Sequence, residues 1–250
     1  MWPYPKILAH RGAGIFAPEN TLAAMRHAFA HGYRGVEFDV MLSRDAVPVL
    51  MHDPAFGRTI AGAGNVADHS AAELQGMDAG SWMGPTFADE PVPTFEAVAQ
   101  FCRAHAIWMN VEIKPAPGFD SLTGAVVAEA ARRLFVSPQD AAADGAVVPL
   151  LSSFSVAALL AARSAAPDVP RAYLVDKLPE EWRSTCEAVA AFSVHLNQKH
   201  LTRDTVDRLR QAGYGVFCYT VNDPERGKML LDWGVDGFCT DRLDLIGPDF

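Results

Sequence analysis

Short apolar runs alternate along the chain with longer stretches in which apolar residues recur every three or four positions. The short runs fall at residues 6–12, 35–42, 107–114, 148–154, 171–175, 193–197, 215–221 and 236–240, and they predict eight strands. Several are almost continuously apolar, as parallel strands covered by helices are. The longer stretches predict helices over 19–31, 94–105, 122–134, 156–166, 180–190, 202–212 and 224–233. Thr94 and Thr202 stand where an N-cap belongs, and Gly32, Gly213 and Gly234 stand just past predicted helix ends.

Eight strands alternating with helices in 250 residues predict an α/β fold, a (β/α)₈ TIM barrel. A doubly wound sheet is the competing architecture, but no GxGxxG follows an early strand. Two stretches interrupt the alternation. Residues 47–52 add a short extended run after Ser43-Arg44-Asp45, which reads as a hairpin turn. Residues 54–93 are rich in Gly, Ala and Asp with little periodicity, and read as a small insertion after strand 2, over the mouth of the barrel. No linker or composition shift divides the chain, so residues 1–250 are expected to form one barrel domain.

Half of the residues are hydrophobic and a fifth are charged, enough for a substantial core. The formal net charge of −9 argues against a broad nucleic-acid surface or a stable association with anionic membranes. An anionic substrate would therefore need a local cation. The four cysteines, Cys102, Cys186, Cys218 and Cys239, show no zinc-type spacing, and Cys218 and Cys239 sit in apolar runs as buried thiols do. The start, from Met1 to Lys6, lacks the apolar core of a secretory signal. The longest apolar stretch, 147–162, is broken by Pro149, Ser152, Ser153 and Ser155 and does not read as a membrane span. A cytoplasmic location is expected, and the oligomeric state is left open.

In a parallel barrel the C-terminal ends of the strands face the active site. Glu37 and Asp39 are two apart on a strand and point to the same side, while Val36, Phe38 and Val40 point to the other. Two carboxylates inside a barrel repel each other and lose hydration, and a divalent cation removes that penalty. Glu112, on the next barrel strand, is the natural third ligand, and three carboxylates select Mg²⁺ or Ca²⁺ over zinc. The bland alternative is a solvated strand end paired with Arg or Lys. His10 and His52 each end an apolar run and are the candidate acid–base pair. Arg11 and Lys114 are candidates to bind the substrate's phosphate. His195 and Asn197 could reach a substrate hydroxyl, and Trp82, Phe87, Phe119, Phe154, Tyr219 and Trp233 could line the mouth.

Together these residues resemble the glycerophosphodiester phosphodiesterase family. His10-Arg11-Gly12 followed by Pro18-Glu19-Asn20-Thr21 is similar to its HRG…PENT signature. Glu37-Phe38-Asp39 matches its ExD, His52-Asp53 its HD and Glu112-Ile113-Lys114 its EIK. Ser152-Ser153-Phe154, Tyr219-Thr220-Val221-Asn222 and Gly234-Val235-Asp236 extend the resemblance over nearly the whole chain. Trp2-Pro3-Tyr4-Pro5, Asp78-Ala79-Gly80-Ser81-Trp82 and Ile246-Gly247-Pro248 look like the bacterial cytoplasmic, UgpQ-type subgroup. The resemblance implies a metal-dependent barrel enzyme that hydrolyses glycerophosphodiesters to glycerol 3-phosphate and an alcohol. Its metal ligands would match Glu37, Asp39 and Glu112, and its acid and base His10 and His52. The competing readings are a phospholipase C/D-like lipid phosphodiesterase, a sugar isomerase and a non-catalytic metal- or phosphate-binding barrel.

Overall fold

The computed structural model describes residues 2–136 and 148–250. Met1 and Val147, which head the N-terminal segment and the longest apolar stretch, lie outside them. The strands are β1 (Ile7–Ala9), β2 (Gly35–Leu42), β3 (Pro48–Leu50), β4 (Trp108–Ile113), β5 (Leu150–Ser153), β6 (Arg171–Val175), β7 (Ala191–Asn197), β8 (Gly215–Tyr219) and β9 (Gly237–Thr240). All pair in parallel except β3, which runs antiparallel along β2. Pairing of β1 with both β9 and β2 closes eight parallel strands into a barrel. Helices α1 (Leu22–Ala30), α3 (Phe95–Ala104), α4 (Asp120–Phe135), α5 (Val156–Ala165), α6 (Trp182–Val189), α7 (Arg203–Gln211) and α8 (Pro224–Asp232) connect successive barrel strands. The fold is the expected (β/α)₈ barrel.

Strand periodicity sorts the core into two layers. On β2, Val36, Phe38 and Val40 face outward and share a buried cluster with Met25, Phe95 and Val98 from α1 and α3. Inside the barrel, Leu8, Trp108, Leu150, Ala172, Phe217 and Cys239 form a separate cluster, with Trp2 and Tyr4 packed against it. Tyr4 stacks on Trp108 at 4.2 Å between ring centroids, and Trp2 stacks on Phe217 at 5.8 Å. These rings fill the end of the barrel where the strands begin.

Residues 54–93 have a core of their own, in which Ile60, Val66, Leu74, Ala79 and Val92 pack on Met41, Val49 and Met51. The short helix α2 (Ala71–Gln75) is held by a capping box between Ser70 and Glu73. Five residues are too few to show a helical period. The segment is tied to the barrel by Glu90, whose Oε1 accepts the Ala23 N–H at 2.8 Å in the first turn of α1.

Local chemistry sets the element ends. Thr94 and Thr202 accept the backbone N–H of Ala97 and Thr205, each at 3.2 Å, as N-caps do. The first strand is shorter than its apolar run predicts, because Arg11 (φ 49°) and Gly12 (φ 94°) turn the chain out of the sheet. His10 therefore stands in a tight turn just past β1. Gly12 meets both reasons for glycine, since a Cβ there would also lie 2.7 Å from the Ala24 Cβ. Gly12→Ala is expected to lower stability by about 1–3 kcal/mol, read as a drop in the denaturant midpoint at unchanged slope.

Candidate active site

Glu37 and Asp39 project into the barrel from the middle of β2, and both are buried. The parallel register of β2 and β4 sets Glu112 directly beside Asp39. The three carboxylates bring oxygen atoms within 4.8 Å of one another. Burial and the Asp39 charge push Glu112 up to about 8. Burial also raises Glu37, against the pull of His10, with Asp39 adding to the rise. Asp39 lies below the usual carboxylate range, because Lys114, Arg11 and His52 together outweigh its burial. A cluster in which burial disfavours the ionised form of two members suits a divalent cation, whose charge would favour that form. Asn110 Oδ1 and Ser152 Oγ, beside Glu37 and Glu112 in the strand registers, are buried in the same cavity without hydrogen-bond partners among the described residues. Unmet polar capacity next to three hard oxygen donors fits Mg²⁺ or Ca²⁺.

Each of the two histidines has its own carboxylate. His10 Nδ1 lies 2.6 Å from Asp241 Oδ1, just past β9, and its Nε2 lies 3.8 Å from Glu37 Oε2. His52 Nδ1 lies 2.6 Å from Asp53 Oδ1. A carboxylate only accepts, so both rings carry a proton on Nδ1 and present Nε2. Burial lowers His10, but the bond to Asp241 and the charges of Glu37 and Asp241 outweigh it and raise the ring. His52 is lowered by burial, helped by Arg11 and Lys114 and opposed by Asp39. Asp241 is itself fixed by Asn222, which donates to its Oδ2 at 2.9 Å and accepts its backbone N–H at 2.8 Å.

Both candidate cations reach the carboxylates. Lys114 Nζ lies 3.2 Å from Asp39 and 3.6 Å from Glu112. The Arg11 backbone N–H donates to Glu37 at 3.1 Å, and its Nη1 donates to Glu19 at 2.9 Å. Arg11 Nε lies 3.6 Å from Asp39 and is buried without a hydrogen bond. The Pro18-Glu19-Asn20-Thr21 stretch divides the work. Glu19 holds Arg11, while Asn20 donates to Asp39 Oδ2 at 2.9 Å and accepts the Asp39 N–H at 3.1 Å. Thr21 caps α1.

The other sequence candidates separate. His195 is buried in the cavity wall, bonded to Ser193 at 3.1 Å, and burial pushes it down to about 3, so it is neutral. Asn197 donates to Asp176 at 2.8 Å. Phe154 and Tyr219 line the cavity with His10, Glu37 and Glu112. Trp82 and Phe119 are exposed, and Phe87 packs against the main core. Trp233 follows α8, whose end is at the opposite face, and lies under the Arg226 guanidinium at 4.9 Å. Sequence reasoning assigned no role to Asp241, Asp53 or Arg58. Adjacency to His52 could have flagged Asp53; Asp241 meets His10 only once the barrel closes. Asp241→Asn is expected to lower the His10 pKa, and a ring-proton NMR titration of the metal-free protein without that fall would refute the electrostatic account.

Comparison with known proteins supplies the family. The model of the glycerophosphoryl diester phosphodiesterase family matches residues 10–245. The chain is 33% identical over 250 residues to YhdW of Bacillus subtilis, covering 97% of each protein. It is 30% identical over 240 residues to a glycerophosphodiester phosphodiesterase of Caldanaerobacter subterraneus subsp. tengcongensis, covering 94% of this chain and 93% of that one. An Oleispira antarctica phosphodiesterase solved with the product sn-glycerol-3-phosphate superposes with a TM-score of 0.86 at 33% identity, covering 95% of this chain and 93% of that chain. A non-catalytic barrel is thereby set aside: the chain belongs to the glycerophosphoryl diester phosphodiesterase family and is an enzyme of that kind, a phosphoric diester hydrolase.

Proposed function

We propose that the protein hydrolyses small glycerophosphodiesters to glycerol 3-phosphate and an alcohol, in a metal-dependent reaction with His10 and His52 as acid and base. The observation that carries this reading is the convergence of Glu37, Asp39 and Glu112, with His10 3.8 Å from Glu37 and the His52 ring close enough for its charge to act on Asp39, each ring bonded to a carboxylate of its own. The product held by the Oleispira antarctica relative supports the glycerol 3-phosphate half. Glu37, Asp39 and Glu112 would hold Mg²⁺ or Ca²⁺. Such a cation, when bound, polarises a phosphoryl oxygen and lowers the pKa of a nearby hydroxyl or water.

The chain's own groups do the rest. One imidazole takes the proton of the attacking group, either water, which gives glycerol 3-phosphate directly, or the glycerol 2-hydroxyl, which gives a cyclic phosphate that a water then opens. The other protonates the oxygen of the departing alcohol as its bond to phosphorus breaks. Asp241 and Asp53 keep both rings in the tautomer that presents Nε2. Arg11 and Lys114 supply the positive charge that a chain of net charge −9 lacks overall, and stabilise charge growing on the non-bridging oxygens.

We extend the proposal to the setting. The chain acts as a single barrel domain with residues 54–93 inserted at its mouth, working in the cytoplasm on a small-molecule substrate. The four cysteines are buried and free, which fits a reducing compartment. Among the described residues no helix is long and apolar enough to cross a membrane.

His10→Ala and His52→Ala are each expected to remain folded and bind metal, with turnover of glycerophosphocholine lowered at least ~100-fold. Near-normal turnover in either variant would remove that ring from the mechanism. In a second assay, glycerol 3-phosphate release is followed with Mg²⁺, with Ca²⁺ or with EDTA. Release is expected to stop in EDTA; persistence there sinks the metal, and preference for intact lipid in vesicles over glycerophosphocholine sinks the substrate class.

A further inference from the structure

Arg58 lies in the loop between Phe56 and Gly64, where the Phe56 N–H donates to the Gly64 carbonyl and the Gly57 N–H to the Ile60 carbonyl, each at 2.8 Å. Ile60 is buried in the local core of residues 54–93, so the loop is anchored next to Arg58. The Arg58 guanidinium spends its fork on two acids. Its Nε donates to Asp53 Oδ2 at 2.6 Å, while Nη1 and Nη2 donate to the two oxygens of Glu19 at 2.6 and 2.7 Å. Asp53 is the carboxylate that holds His52, and Glu19 is the carboxylate that holds Arg11. One planar cation thus joins an acid–base ring to the arginine beside Asp39.

We infer that Arg58 is a positioning residue for the reaction, fixing His52 through Asp53 and Arg11 through Glu19. The inference rests on the roles proposed above for His52 and Arg11. Among the described residues, Asp53 without the guanidinium keeps only its bond to His52 and is free to rotate or hydrate. Among the same residues Glu19 would then be balanced by Arg11 alone. Both effects loosen groups that must be held to a fraction of an ångström around the reacting phosphorus. A lysine cannot replace the fork, because a point charge cannot hold both oxygens of Glu19 and also Asp53. The rival reading is an ordinary exposed ion pair, since the Arg58 side chain is 44% exposed. Pairs of that kind contribute little to stability and nothing to turnover.

The experiment compares Arg58→Met, Arg58→Lys, Asp53→Asn, His52→Ala and the Arg58→Met/Asp53→Asn double variant with metal and glycerophosphocholine, alongside circular dichroism and thermal melts. Arg58→Met is expected to lower kcat at least ~10-fold with little change in KM or melting temperature, as loss of a supporting partner does. Arg58→Lys should recover part of the loss. The double variant should lose less than the product of the two single losses, because part of the Arg58 effect and the Asp53 effect act through the same ring. A kcat within about twofold of wild type in Arg58→Met, with His52→Ala inactive, overturns this inference and leaves the role of His52 standing. High turnover in His52→Ala overturns that role first. A loss confined to KM would make Arg58 a substrate contact and equally overturn the inference. If Arg58→Met does not fold, Arg58→Lys and Asp53→Asn decide it: wild-type kcat in both sinks it.

Discussion

Three carboxylates side by side in a barrel interior, Glu37 and Asp39 buried and Glu112 partly so, are the constraint around which the rest is arranged. Each ionised carboxylate taken out of water costs on the order of several kcal/mol before any compensation, and like charges add to that. The chain answers with burial that raises Glu112 and Glu37, with Lys114 and Arg11 against Asp39, and with Asn20 donating to the same group. Those answers disfavour the ionised form of two of the three groups rather than compensating its charge. That imbalance makes a divalent cation the natural fourth member.

Around the cluster runs an outer ring of acids whose partners are basic side chains. Asp241 faces His10, Asp53 faces His52 and Arg58, and Glu19 faces Arg11 and Arg58. Alternation of sign from the centre outward lets an acidic protein present local positive charge without losing the carboxylates it needs. The elements contributing to this outer ring lie far apart in sequence, from Glu19 to Asp241. Closure of β1 against β9 brings the last of them to the first histidine.

Most of the fold was legible in the sequence, because a parallel barrel writes its strands as apolar runs and its helices as a separate period. β2 and β6 match their predicted spans at both ends. The first strand was overestimated, since hydropathy does not register the left-handed backbone at Arg11 and Gly12. The carboxylate trio was legible for a geometric reason: strand alternation fixes Glu37 with Asp39, and neighbouring strands fix Glu112. The supporting acids were not, since a lone Asp after the last strand has no local signature. Nor could periodicity find Arg58, whose position depends on irregular turns within residues 54–93. Among the aromatics, Phe154 and Tyr219 reach the cavity and Trp233 does not, a difference set by which end of the barrel each connection occupies.

Trp2, Tyr4 and Trp108 pack across the base of the barrel, and Phe217, stacked on Trp2, closes the floor of the cavity that His10 and Glu37 line. Among the described residues, a tube stoppered at its base keeps its doorway at the mouth. Both fragments of a severed diester must depart by the opening through which the intact molecule came, so a lingering fragment bars the next arrival.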